Sequence, residues 1–411
     1  MITDLTQPDS RARLKALYRS TLLDDVAPFW LKHGWDREQG GLFTALDRDG
    51  TVLDTDKSIW FQGRAAWMYA TLYLTVERRA EWLELARSCL EFTRRHGYAP
   101  DGKLYFTVTR EGQPLRMRRY VYSESFAAIA NAAFARATGD ARAAEDALRA
   151  YATYLRHSFT PGVMPPKFES TRPAKAIGPH VIGIGTAQEI RAHLGDVTVQ
   201  GRSCTEWIDF SLAEITRDFL KPDLEVLLET VGTDGAVIDH ADGRTLNPGH
   251  AIECAWFILQ EGALRREPRL IELGVNILDW MWARGWDPQH GGLLYFTDLR
   301  RLPVAEYWHD MKFWWPHNEA VIATALAWKL TREPRFAERH RLVHDWSFAR
   351  FPDPEFGEWY GYLHRDGTLS SRVKGTMWKG PFHLPRMLWF CAALLADPPA
   401  APANDASGIR T

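Results

Sequence analysis

The chain has 411 residues, 45% of them hydrophobic, with 50 basic residues against 52 acidic ones. So even a balance offers no basic field for nucleic acid or for an anionic membrane surface, and no run of about 18 apolar residues is present to span a bilayer. Four cysteines (Cys89, Cys204, Cys254, Cys391) stand far apart with no CxxC or CxxH spacing, which argues against a zinc knuckle and for free thiols in a reducing compartment.

The start, Met1-Ile-Thr-Asp-Leu-Thr6, has neither a basic n-region nor an apolar h-region, so no signal peptide is expected. The resulting expectation is a cytoplasmic protein with a small-molecule partner and with neither nucleic acid nor membrane as partner. Apolar residues recur at helical spacing along most of the chain. They predict twelve helices, at roughly 11–33, 58–78, 80–96, 120–138, 141–157, 178–195, 200–219, 248–265, 268–284, 314–331, 333–350 and 379–396. Very short links such as Thr138-Gly-Asp140 and Thr331-Arg-Glu-Pro334 join pairs of them as antiparallel hairpins.

The longer links resemble one another. Trp35-Asp-Arg-Glu-Gln-Gly-Gly-Leu-Phe43 parallels Trp286-Asp-Pro-Gln-His-Gly-Gly-Leu-Leu294, and Asp353-Pro-Glu-Phe-Gly-Glu-Trp359 is a looser copy. Each is a turn signal followed by a short apolar or aromatic strand, so each predicts a small β-hairpin between helices. The recurrence, every 50 to 70 residues or so, signals a repeat architecture of about six units. Six helical hairpins can close into a double ring of twelve helices; an open superhelix of hairpins is the rival. No internal linker breaks the chain, so 1–396 is expected to be one domain, with the Pro/Ala-rich 397–411 a disordered tail.

In a double ring the even-numbered helices form the inner layer. Their starts carry the residues of chemical interest: Trp60-Phe-Gln-Gly-Arg64, Tyr120-Val-Tyr-Ser-Glu124, Gly178-Pro-His180, Asn247-Pro-Gly-His-Ala-Ile-Glu253, Lys312-Phe-Trp-Trp-Pro-His-Asn-Glu319 and Lys379-Gly-Pro-Phe-His-Leu-Pro-Arg386. Closing the ring would gather them at one mouth, which is the argument for an enzyme. His250 and Glu253 share a helix face at i, i+3, so the carboxylate can fix the imidazole's tautomer; an isolated pair of this kind is more often structural. His383 stands at a helix start beside Lys379 and Arg386, a setting that lowers an imidazole's pKa and keeps it basic near neutrality. Arg64, among aromatics, could hold an enediolate oxygen, or could be a core-edge arginine paired to Glu124 or Glu319. The eighteen tryptophans, Trp308 and Trp315 among them, include many beside carboxylates, histidines and prolines. Such rings stack on sugars, although packing explains any single one equally well. Neither GxGxxG, GxxxxGK[ST], GxSxG nor HExxH occurs on a suitable element.

These stretches resemble the N-acylglucosamine 2-epimerase (renin-binding protein) family from about Phe29 to Met387, most densely at Trp60–Tyr69, Asn247–Phe257, Met311–Glu319 and Lys379–Arg386. The resemblance implies an all-α (α/α)6 barrel and proton transfer at C2 of a free aldose with no cofactor required. It implies His250 and His383 as the acid/base pair, Glu253 as the support of the first, and Arg64 near the sugar's O1/O2 end. Tyr122, Glu124, Trp315 and Glu319 match pocket positions, and Trp308 and Arg386 join them as candidate substrate contacts. His180 departs from the N-acetylated-sugar branch and matches the cellobiose 2-epimerases and mannose isomerases of the superfamily. The resemblance also implies a homodimer; some members respond to ATP, and no phosphate loop is present in this sequence.

The expected activity is N-acylglucosamine 2-epimerisation through a cis-enediol(ate), with a mannose isomerase or a mannose/cellobiose 2-epimerase as the alternatives. Two other classes stay open. An (α/α)6 glycoside hydrolase would need two carboxylates across the pocket, drawn from Glu124, Glu253 and Glu319. A non-catalytic binding protein would have no use for the histidine pair.

Overall fold

The computed structural model describes residues 3–396, so the tail expected at 397–411 lies outside the described residues. Within them, the twelve long helices occupy nearly the expected spans: α1 (8–34), α2 (Ile59–Thr75), α3 (Ala80–His96), α4 (Tyr122–Thr138), α5 (Ala141–Phe159), α6 (Gly178–Leu194), α7 (204–219), α8 (Pro248–Arg265), α9 (Pro268–Gly285), α10 (Trp314–Thr331), α11 (Pro334–Phe348) and α12 (His383–Leu394). Two starts differ by four residues, each for a local reason. α7 begins at Cys204 rather than 200 because Gln200 and Gly201 take left-handed φ values of 53° and 81° and turn a hairpin between Thr198–Val199 and Arg202–Ser203. α12 begins at His383 rather than 379 because Pro381 disfavours helical geometry at Gly380, which is pressed against the Phe61 ring. Inside α1, Pro28 lacks the N–H that would bond back four residues. The ladder slips to i→i+5 bonding on both sides of it, over Thr21–Val26 and Trp30–Gly34.

Burial separates two rings. α3 buries one stripe (Trp82, Leu85, Ala86, Cys89, Phe92) and α5 another (Ala143, Ala147, Ala150, Tyr151, Tyr154), as helices facing solvent on one side do. α10 is buried without a break from Trp314 to Trp328, and α2 and α4 nearly so. Five outer helices pack as hairpins on inner ones, α2 with α3, α4 with α5, α6 with α7, α8 with α9 and α10 with α11, and the sixth pair, α1 with α12, joins the two ends of the chain. The inner helices touch in the order α2, α4, α6, α8, α10, α12, and α12 returns to α2. This closure makes an (α/α)6 barrel and excludes the open superhelix.

Short antiparallel strands stand where inner helices begin. Lys57–Ser58 leads into α2, Thr245–Leu246 into α8 and Lys312–Phe313 into α10, each paired with a strand from another loop. One ionic arrangement recurs in these loops. Asp36, Asp287 and Asp353 are buried, and each binds a buried lysine ahead of the next inner helix and an arginine from a further loop. The sets are Lys57 with Arg110, Lys312 with Arg365, and Lys374 with Arg48. The third set joins the loop after α11 to the loop after α1 and so closes the ring. The outer seam is closed by Tyr18 of α1, whose hydroxyl lies 3.1 Å from His340 Nε2 and 2.9 Å from His344 Nδ1 of α11.

Candidate active site

Asn247 caps α8, its side-chain oxygen accepting the His250 N–H at 3.0 Å. That first turn sets the His250 ring 5.0 Å from the Trp315 ring. The His383 ring, at the first residue of α12, lies 5.7 Å from the same indole. Two histidines 133 positions apart in sequence therefore share one neighbour. Their settings differ: the His250 side chain is 47% exposed, whereas that of His383 is 9% exposed and sunk in the wall.

His383 Nδ1 lies 2.7 Å from Glu319 Oε1. A carboxylate only accepts, so Nδ1 carries the proton and Nε2 keeps its lone pair. Burial pushes the His383 pKa well down, and the Arg64 and Arg386 cations push it further. The result is a neutral base of fixed tautomer. Glu319 is itself fully buried; its second oxygen accepts the Trp256 indole N–H at 2.7 Å. It thus orients His383 and does not line the pocket wall as expected.

His250 takes a different partner from the one its spacing suggests. Its Nδ1 faces Glu229 Oε2 at 3.3 Å, while Glu253 accepts from Arg386 Nη2 at 2.6 Å. Burial would lower the His250 pKa, but Glu229 and, further off, Glu253 outweigh it and leave the pKa raised. Sequence reasoning missed Glu229; its only signal is a lone carboxylate in the apolar run Val226-Leu-Leu-Glu-Thr-Val231. Arg386 Nη2 also reaches Glu319 Oε1 at 2.6 Å, so one guanidinium neutralises two carboxylates. Glu253, Glu319 and His383 are close enough together to ligate a cation, but Arg386 already stands between the carboxylates in that role.

Arg64 is buried with neither Glu124 nor Glu319 in contact. Its guanidinium is sandwiched by Trp60 (4.2 Å), Phe126 (4.3 Å) and Phe382 (4.7 Å), and it reaches only the Trp378 carbonyl, at 3.4 Å. Its Nε has no acceptor, so the group is a buried cation short of an anion. Phe126, Phe382 and Trp378 were not singled out from sequence, because aromatics in a tryptophan-rich chain carry no positional mark.

Of the remaining expected contacts, Tyr122 packs beside Trp60, with its hydroxyl against Gly178. Glu124 turns away from the chamber: its carboxylate accepts the Leu104 N–H at 2.8 Å, and burial lifts its pKa to about 7. Gln62 and His317 hold the Leu42 and Leu293 N–H groups in the same way, so Glu124 is a loop clamp. His180 points between helices into Phe159, Phe210 and Phe219, and burial lowers its pKa to about 4. The structure does not bring it to the histidine pair. Trp308 lies in the loop ahead of α10 with its ring against Tyr307.

The sequence pattern of the N-acylglucosamine 2-epimerase (GlcNAc 2-epimerase) family matches residues 41–177 and 212–383. The chain is 38% identical over 395 residues to an N-acylglucosamine 2-epimerase of Bos taurus, covering 91% of this chain and 89% of that one. It is 25% identical over 402 residues to a cellobiose 2-epimerase of Bacteroides fragilis, covering 93% and 99%. Its fold is that of a sugar epimerase from a ruminal bacterium: TM-score 0.79, 21% identity, 93% of this chain and 100% of that one.

Proposed function

The chain belongs to the N-acylglucosamine 2-epimerase family and is a carbohydrate epimerase of the isomerase class, and from that premise we propose that His250 and His383 exchange the C2 proton of an open-chain N-acylglucosamine or N-acylmannosamine between them. The observation that carries this reading is the opposite preparation of two imidazoles beside one indole. His383, neutral and with Nε2 free, is the base. His250, held toward the imidazolium by Glu229, is the acid.

With C2–H between the rings, His383 Nε2 takes the proton, the C2–H electron pair moves into the C1–C2 bond and the aldehyde π pair moves onto O1, giving an enolate that keeps its acylamino group on C2. Arg64, lacking an anion in the free protein, receives the oxygen charge that develops. His250 then returns a proton to the opposite face of C2, which inverts that centre. In the reverse direction the two roles exchange. This scheme requires no metal or cofactor; titration with ATP tests for a regulatory nucleotide, and sedimentation velocity tests the family's homodimer for this chain.

The N-acyl substrate is favoured by the relatives above. His180, the residue that points to mannose or cellobiose, stands in its phenylalanine nest. A hydrolytic reading needs carboxylates on opposite sides of a gap, yet Glu253 and Glu319 are clasped by one arginine. A cytoplasmic setting accords with the four free, buried thiols. Among the described residues no helix is long and apolar enough to cross a membrane.

The test is a panel of N-acetylmannosamine, N-acetylglucosamine, mannose and cellobiose in D2O, followed by proton NMR. Deuterium at C2 and the 2-epimer are expected with the N-acetyl sugars. A ketose product, or turnover confined to mannose or cellobiose, would overturn the substrate assignment.

A further inference from the structure

Three loops share one turn. Gly41, Gly292 and Glu358 each follow a glycine and each take a left-handed φ, of 74°, 70° and 56°. At the first two sites a Cβ would meet the inner-helix side chain that clamps the loop, Gln62 Oε1 at 2.6 Å or His317 Nε2 at 2.8 Å. In the third loop a glutamate stands there instead, in a backbone region costly for any residue but glycine and asparagine. Its side chain is fully buried, and one oxygen, Oε1, has no partner. Its other oxygen is ion-paired with Lys379, which is also fully buried. A strained backbone and two buried charges are a large cost at a position that two sibling turns fill with glycine.

The segment this pair holds accounts for the cost. Lys379 begins the stretch that runs into α12, and its ammonium lies 6.0 Å from the rings of both Trp30 and Trp314. The Trp314 ring in turn touches the His383 ring edge-on at 6.2 Å. One residue before Lys379 is the Trp378 carbonyl that receives Arg64; three after it is Phe382, packed on both Arg64 and Arg386. The glutamate end is anchored separately, because the Glu358 N–H donates to Asp25 Oδ1 of α1 at 2.7 Å.

We propose that Glu358 and Lys379 are a positioning pair for the proposed C2 proton transfer, tying the segment 376–383 to the wall so that His383 and Arg64 face the same carbon. The inference rests on the roles given above to His383 and Arg64. It reaches past them to two residues that never meet substrate.

Glu358→Gln/Lys379→Met removes both charges together and leaves neither one orphaned. The double variant is expected to melt within a few degrees of the wild type, while kcat and C2 solvent exchange fall together by ~100-fold and KM stays within about twofold. Should it fail to fold, Glu358→Gln alone, which is isosteric, carries the same test, with a kcat loss of about 10-fold expected. Wild-type kcat in a folded variant overturns the positioning role. His383→Ala, assayed alongside, separates the two levels of the account. If it keeps full exchange, the histidine assignment itself has failed; if it abolishes exchange while the double variant does not, only the positioning pair is lost.

Discussion

Replacing Glu229 with glutamine removes the carboxylate that faces His250 Nδ1 at 3.3 Å. That carboxylate raises the imidazole's pKa, so its loss lowers it. Activity that needs the imidazolium must then decline at lower pH as pH rises. The alkaline limb of kcat/KM against pH should shift downward in Glu229→Gln, and superimposable limbs would contradict the assignment of His250 as acid. Glu319→Gln frees the His383 tautomer and weakens the Arg386 clasp; kcat should fall about 100-fold or more with KM nearly unchanged. At this scale the sequence singled out His250, His383 and Arg64, whose roles rest on the proposal above, whereas Arg386, expected as a substrate contact, is taken up by Glu253 and Glu319. Glu229 was not singled out, because it lies 21 residues before His250 in a separate loop, and no local spacing encodes their meeting. Glu124 was misassigned because a carboxylate at an inner-helix start can serve the loop as readily as the pocket; Gln62 and His317 do that work in equivalent places.

Between elements, the seam of α1 and α11 is a directed chain. The Val321 carbonyl can only accept, so His340 Nδ1 donates to it and Nε2 must receive Tyr18; His344 Nδ1 then donates to the tyrosine oxygen. Burial lowers His340 from its ordinary 6.5 to about 4 and His344 to about 3. The unfolded chain therefore binds more protons than the native one at any pH from about 6.5 down to these values. This contribution to stability is complete above about 6.5 and is lost as pH falls toward 4. Urea midpoints measured from pH 7 to 4.5 should drop steadily, and His344→Gln should flatten that slope. Tyr18→Phe, which orphans a buried imidazole nitrogen, should cost about 1–3 kcal/mol at pH 7; an unchanged midpoint would remove the seam from the account. The helices themselves were readable because inner and outer faces leave different periodicities. Their ends were less so: the starts of α7 and α12 are decided by Gln200-Gly201 and Gly380-Pro381, which bear on backbone geometry and not on hydrophobic spacing.

For the whole molecule, the barrel is a ring in which the first and last loops are neighbours. Asp353 is fully buried and holds both Lys374, at 3.0 Å, and Arg48 from the far end of the chain. Asp353→Asn leaves Lys374 buried without its carboxylate and should cost about 3–5 kcal/mol in urea unfolding. Because that contact spans the chain, we propose that 1–396 unfolds as one unit; calorimetry should show a single transition, and two separable transitions would divide it. The repeat was visible in the sequence as three similar turns, but the aspartate–lysine–arginine sets were not, since the aspartate and lysine stand about 20 residues apart in one long loop and the arginine comes from another. As proposed above, one chamber removes and returns a single carbon-bound proton with two histidines. The most direct measurement of this is N-acetylmannosamine in D2O with wild type, His250→Ala and His383→Ala, read by proton NMR at C2. Deuterium is expected at C2 of every product molecule formed by the wild type, with no epimer from either variant; product that retains protium at C2, or epimer formed at the wild-type rate by either variant, would rule out the histidine pair.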